Sequence, residues 1–213
     1  SRTIGALVAT YTSGNISLNL NYSNYASNIE YVLNTNLDSL NAVVVTQQAG
    51  IQVGYLLPTK GKNRQMINGS INVQEVTDDL GDAAQSAASQ MVTANVQYSF
   101  TPEEGGWRVR TRANYNRNRL SGMLFNRYGA GLGLQKDLLA KKLAAQLDAN
   151  YYNTRGDINA AQTLQLRLGL PYSINEHHRL DLSGWYLNRF QAGDNGRPPF
   201  SEFTGTLQYT FSF

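Results

Sequence analysis

The stretch Phe203–Phe213, FTGTLQYTFSF, puts Phe203, Gly205, Leu207, Tyr209, Phe211 and Phe213 on one parity and Thr204, Thr206, Gln208, Thr210 and Ser212 on the other. Side chains alternate across a β-strand, so this is a strand with one apolar and one polar face. A soluble sheet blunts or buries such an edge, and aromatic residues gathered on one face call for nonpolar surroundings.

The pattern recurs upstream. WRVRTRANYN sets Trp107, Val109, Thr111, Ala113 and Tyr115 against Arg108, Arg110, Arg112, Asn114 and Asn116, the sharpest partition in the chain, with one apolar face and one cationic face. Ile16–Ser23, Ile51–Tyr55, Ile67–Val73, Val92–Phe100, Arg127–Gln135, Leu143–Tyr151, Thr163–Leu170 and Leu180–Phe190 read the same way, and Thr3–Tyr11 is a weaker member. Together these predict about eleven two-faced strands.

Composition narrows the class. In 213 residues the charged fraction is 15%, with 13 Tyr and 19 Gly, and mean hydropathy is −0.39. Soluble domains carry roughly 25% charge, so a sheet whose faces meet different solvents fits better. No apolar run approaches the roughly 20 residues of a membrane-spanning helix. With no cysteine, neither a disulfide framework nor a thiolate metal site is available. The net charge of +3 is spread over strand-like segments, which argues against nucleic-acid binding.

Connections form a second signal. Compact turn-rich links (TSGN, LPTKGKN, TPEEGG, QKDLLAKK, PYSINEHH) alternate with longer polar ones over 24–41, 75–89, 116–121, 153–160 and 191–199. Short turns on one side and long loops on the other match an outer-membrane barrel with its short side periplasmic. A third signal is the aromatic residues at strand ends: Tyr55, Phe100, Trp107, Tyr128, Tyr151, Tyr186, Phe211 and Phe213. They suit girdles at the two membrane interfaces. DAAQSAAS and DLLAKKLAAQ are the only helix-like stretches, the second doubling as a turn.

The terminal strand GTLQYTFSF, closing on Phe213, resembles the C-terminal signature of Gram-negative outer-membrane β-barrels. More loosely, NIEYVLNTNLDSLNAVVV and the Asn/Tyr-rich strands resemble C-terminal barrels of larger outer-membrane proteins from Bacteroidota. The resemblance implies a bacterial outer-membrane location, contact with outer-membrane lipid and lipopolysaccharide, and recognition by the barrel assembly machinery during biogenesis. It also allows protein partners in an envelope complex.

The expected fold is an all-β, antiparallel, up-and-down transmembrane barrel of about twelve strands, since single-chain bacterial barrels usually have even numbers. Residues 1–213 form one barrel domain, with a missing upstream strand making it the C-terminal part of a longer protein. Ile29, Tyr31 and Leu33 alternate with Glu30, Val32 and Asn34, a place where a further strand could hide.

Arg108, Arg110, Arg112, Arg127 and Arg167 are expected to line the lumen, and Phe203, Leu207, Tyr209, Phe211 and Phe213 to face lipid. Arg64 and Arg189 belong to the same polar parity. Such a row either makes a positive wall favouring anions or is paired off by Asp148, Asp181 and Glu202. The adjacent His177 and His178 fall in a compact turn and read as solvated; no nucleophile elbow occurs. Asp78, Asp79 and Asp82, with Asp157 and Asp194, read as acidic loops, the spacing of the first three fitting no full calcium loop. Arg197, Pro198 and Pro199 read as a rigid turn. No catalytic residue, metal or cofactor is assigned. The expected function is a non-enzymatic, porin-like channel for small polar solutes; the alternative is a plugged barrel serving as membrane anchor or subunit of an assembly or secretion complex.

Overall fold

The computed structural model describes residues 2–31, 40–59, 61–79, 88–120, 122–157, 160–190 and 199–212. They form one antiparallel, up-and-down sheet of eleven strands in sequence order. The strands are β1 (Arg2–Ser13), β2 (Ile16–Tyr31), β3 (Leu40–Leu57), β4 (Arg64–Asp79), β5 (Ala88–Thr101) and β6 (Trp107–Leu120), then β7 (Met123–Leu138), β8 (Leu143–Gly156), β9 (Ala160–Ser173), β10 (His178–Phe190) and β11 (Phe200–Phe211). Among the described residues no helix is long and apolar enough to cross a membrane.

Every alternating segment is a strand, and most run further than their alternation. Residues 29–31 lengthen β2, and residues 32–34 of that stretch lie outside the described residues. The links expected to be long at 116–121 and 153–160 are mostly strand: β6 continues to Leu120 and β7 starts at Met123, while β8 continues to Gly156 and β9 starts at Ala160. Beyond the alternating segments both faces are largely polar, so alternation fades while the backbone ladder goes on. The second helix-like stretch reduces to a single 3-10 turn, Leu139–Lys141, between β7 and β8. At the β1–β2 hairpin Gly14, at φ +54, takes the positive φ that the first position of a two-residue turn requires. Asp82, Asp194, Arg197, Pro198 and Phe213 lie outside the described residues.

Among the described residues there is no conventional core and no side chain is fully buried; the accessible surface is 14897 Å², against about 9800 Å² expected for a soluble monomer of 23.6 kDa. The excess is the two faces of a wall one residue thick. The large exposed apolar side chains fall mainly on the outward parity, among them Ile51, Ile71, Val96, Leu132, Leu168 and Leu182. On β6, β8, β9 and β11 this outward run takes in nine residues, from Trp107 to Tyr115, Leu143 to Tyr151, Leu164 to Tyr172 and Phe203 to Phe211, and on β7 it runs from Tyr128 to Leu134. Eight residue steps rise about 26 Å along a strand, or about 23 Å along the normal at a tilt near 30°, close to the roughly 25 Å apolar band of outer-membrane barrels.

The tilt follows from the register. From Tyr11 the ladder passes through Leu18, Val53, Gly69, Val96 and Ala113. It continues through Ala130, Tyr151, Leu164 and Asn188 to Ser201. Tyr11 lies two residues from the end of β1 at the tight-turn rim, whereas Ser201 lies ten residues from the end of β11 at that rim, after ten strand steps. A stagger of just under one residue, about 2.6 Å, per strand spacing of about 4.8 Å tilts the strands by about 30°, in the sense a barrel wall requires.

Candidate functional site

The polar parity makes the inner face. Residues of β6 and of β8 to β11 line a cavity of about 1010 Å³, among them Arg110, Arg112, Asp148, Arg167, Arg179 and Asp181. The cluster depends on β7, whose inward parity is Gly129, Gly131 and Gly133, facing Asn114, Arg112 and Arg110 on β6 and Tyr152, Asn150 and Asp148 on β8. With no side chains at these three positions, groups two strands apart meet. Arg112 Nε donates to Asn150 Oδ1 at 2.8 Å, and its terminal nitrogen lies 3.7 Å from Asp148 Oδ1. A Cβ on Gly131 would stand 2.3 Å from Asn150 Oδ1 and 2.7 Å from Arg112 Nε, so the contact requires glycine.

The arginines divide into paired and free groups. Arg108 reaches Asp137 at 3.5 Å, and Arg179 chelates Asp181 at 2.9 Å. Arg127 lies 3.9 Å over the Tyr152 ring, and Arg189 4.8 Å over Phe200. Among the described residues no carboxylate pairs with Arg110 or Arg167, both of which line the cavity. The cavity thus holds four arginines against two aspartates. Arg64 and Glu202 also fall on the inward parity, the latter without an ion pair among the described residues. The inward parity of β2 to β5 offers uncharged Asn19, Asn21, Gln52, Asn68, Ser70, Asn72, Asn95 and Gln97, so the wall is amide-lined on one arc and arginine-rich on the other.

The outward parity carries Phe203, Leu207, Tyr209 and Phe211 on β11, all exposed. Rings mark both ends of the band. Trp107 accepts Lys136 over its face at 4.2 Å near the tight-turn rim, and Tyr115 and Tyr128 lie 5.1 Å apart at the other end. His178 opens β10 among Tyr209 and Phe211, while His177 Nδ1 contacts the Ser212 carbonyl oxygen at 3.0 Å. Asn175 Oδ1 accepts from both histidine backbone N–H groups, which makes this a capped turn. Asp157 closes the β7–β8 edge by accepting from Leu124 N–H at 2.8 Å.

The glycine stripe, Asn150, Tyr152 and Asp137 are parts of the site that alternation alone does not select. Their signal is three glycines on the parity where the neighbouring strands are charged.

An apolar outer face, a polar inner face, two aromatic margins and a stagger of just under one residue per strand define the wall of a bacterial outer-membrane β-barrel. Solved structures carry the same fold. The copper transporter OprC aligns over 100% of this chain and 40% of its own, with TM-score 0.65 and 11% identity. CdiB from Acinetobacter baumannii aligns over 99% of this chain and 44% of its own, with TM-score 0.55 and 14% identity. The outer-membrane expressed OmpT of Vibrio cholerae aligns over 86% and 70%, with TM-score 0.51 and 9% identity. At these identities the likeness is one of fold, and the chain spans less than half the length of OprC and CdiB. No family model matches the sequence, and no curated protein does.

Proposed function

We propose that this chain builds an outer-membrane channel that passes small polar solutes and favours anions. The observation carrying the reading is the cavity on the inner face, where Arg110 and Arg167 have no carboxylate partner among the described residues and arginines outnumber aspartates. Guanidinium groups fixed along an aqueous path lower the barrier for anions and raise it for cations. The chain does no covalent chemistry in this reading: its histidines are spent on a turn and on aromatic contacts. In this reading the barrel assembly machinery inserts the protein, as it does other Gram-negative outer-membrane barrels, and lipid with lipopolysaccharide covers the outer face.

The test is planar-bilayer recording of the polypeptide that carries this sequence, under a salt gradient. The expected result is a conducting, anion-selective pore whose reversal potential moves toward zero in an Arg110→Ala/Arg112→Ala/Arg167→Ala variant. A conducting pore with unchanged selectivity removes the arginines from the reading. A silent barrel favours the second reading, a plugged anchor or envelope-complex subunit, for which the carboxylate-paired Arg108, Arg112 and Arg179 speak.

A further inference from the structure

The sheet ends in two bare edges. Among the described residues β1 pairs only with β2 and β11 only with β10, and β1 and β11 make no contact. Both carry apolar side chains on the outward parity, with Leu7 67% and Leu207 66% exposed, against 46% for Leu182 inside the sheet. In lipid each unpaired backbone N–H or C=O costs several kcal/mol, so neither edge can remain open at membrane depth.

Strand direction restricts what can close them. All ten pairings are antiparallel, so β1 and β11 run the same way, both ending at the tight-turn rim. Joining β11 directly to β1 would create a parallel seam. A second copy, inserted with the same orientation, would present its β1 to this β11 and create two such seams. Antiparallel pairing at both edges requires an odd number of further strands, the outermost of them running from the tight-turn rim to the opposite rim.

We infer that the open edges are closed by an odd number of transmembrane strands from the same polypeptide, making an even-stranded barrel. The source within one polypeptide is favoured by the proportions of the structural relatives, since this chain accounts for 40% of OprC and 44% of CdiB. The inference holds whether the lumen conducts or is plugged. The added strands need a two-faced pattern and a stagger that continues just under one residue per strand.

The chain has no cysteine, so disulfide mapping has no background. In native outer membranes, Leu7→Cys is combined in turn with Phe203→Cys, Leu207→Cys and Phe211→Cys. Leu182→Cys with Leu207→Cys, a directly opposed pair, serves as the positive control. Intact mass is measured on the same polypeptide, and the added residues are sequenced by mass spectrometry. Expected are a mass above 23.6 kDa, added residues holding an odd number of alternating strands, a cross-linked control, and β1–β11 pairs that stay reduced. A mass of 23.6 kDa, added residues with no strand or an even number of them, or a β1–β11 disulfide within one chain or between two copies would overturn it.

Discussion

Replacing Gly131 by alanine tests whether the glycine stripe on β7 is what holds the cationic arc together. The new Cβ would enter the 2.8 Å hydrogen bond between Arg112 Nε and Asn150 Oδ1, at 2.7 Å and 2.3 Å from those atoms. Arg112 must swing off the wall. A hydrogen bond to a charged group contributes about 1.5–3 kcal/mol, and solvent returns roughly half of it at a side chain 42% exposed. Removing glycine from a strand restores some stability through the unfolded chain, so the net loss is about 1 kcal/mol. With an m value of roughly 2–3 kcal/mol/M in urea, the midpoint falls by about 0.3–0.5 M. The assay is urea unfolding in lipid vesicles, followed by the fluorescence of Trp107 and Trp185. Gly5→Ala is the control, since nothing lies within 4 Å of its added Cβ. On an Arg112→Ala background, Gly131→Ala should lose most of its cost, because the displaced partner is gone. An equal cost on both backgrounds refutes the reasoning.

Three further outcomes follow from the two faces of the wall. Leu132→Arg, at the middle of the outward apolar run, should cost about 2–4 kcal/mol in vesicle unfolding, whereas Asn126→Arg, just beyond Tyr128, should cost about 0–1 kcal/mol; equal costs would place the membrane elsewhere. Trp107 on the outward parity should be quenched by lipids brominated near the headgroup, while Trp185, which lines the inner cavity, should respond to aqueous iodide; the reverse pattern would invert the wall. Asp157→Ala removes the acceptor of Leu124 N–H, and a loss of about 1 kcal/mol should speed local amide exchange there about fivefold, as read by hydrogen-exchange mass spectrometry.

The strand pattern is legible in the sequence because each strand meets lipid on one side and polar surroundings on the other, so chemistry alternates as fast as geometry. Arg108, Arg110 and Arg112 fall on one face by parity alone. The partners of those arginines are not legible, since the Arg112 contact with Asn150 crosses a whole strand and needs both the register and the absence of side chains on Gly131. The ends of the strands are equally hidden. Past Tyr115 the outward positions are Arg117 and Arg119, and the inward ones include Asn116 and Asn118, so a loop and a strand look alike there.

Where the outward parity turns polar gives a reading of tilt that does not use the stagger of the strand ends. The first polar outward residues are Asn24, Gln47, Glu75 and Gln90 on β2 to β5, all directly opposed. On β6 the transition comes two residues earlier along the ladder, at Arg117, which faces Val92 while Gln90 faces Arg119. Asn126 keeps that level on β7, and Asn153 drops by two again, facing Tyr128, with Gln162 opposite it. Asn188 drops once more, facing Leu164, and Ser201 opposes it. All three steps go the same way, toward the tight-turn rim. Hydrogen bonding alone would keep the transition on one rung of the ladder; a flat lipid boundary cutting tilted strands makes it descend. The polarity of each outward side chain is therefore set by its depth in the membrane, and the residues that cross that depth together are staggered neighbours instead of hydrogen-bonded pairs.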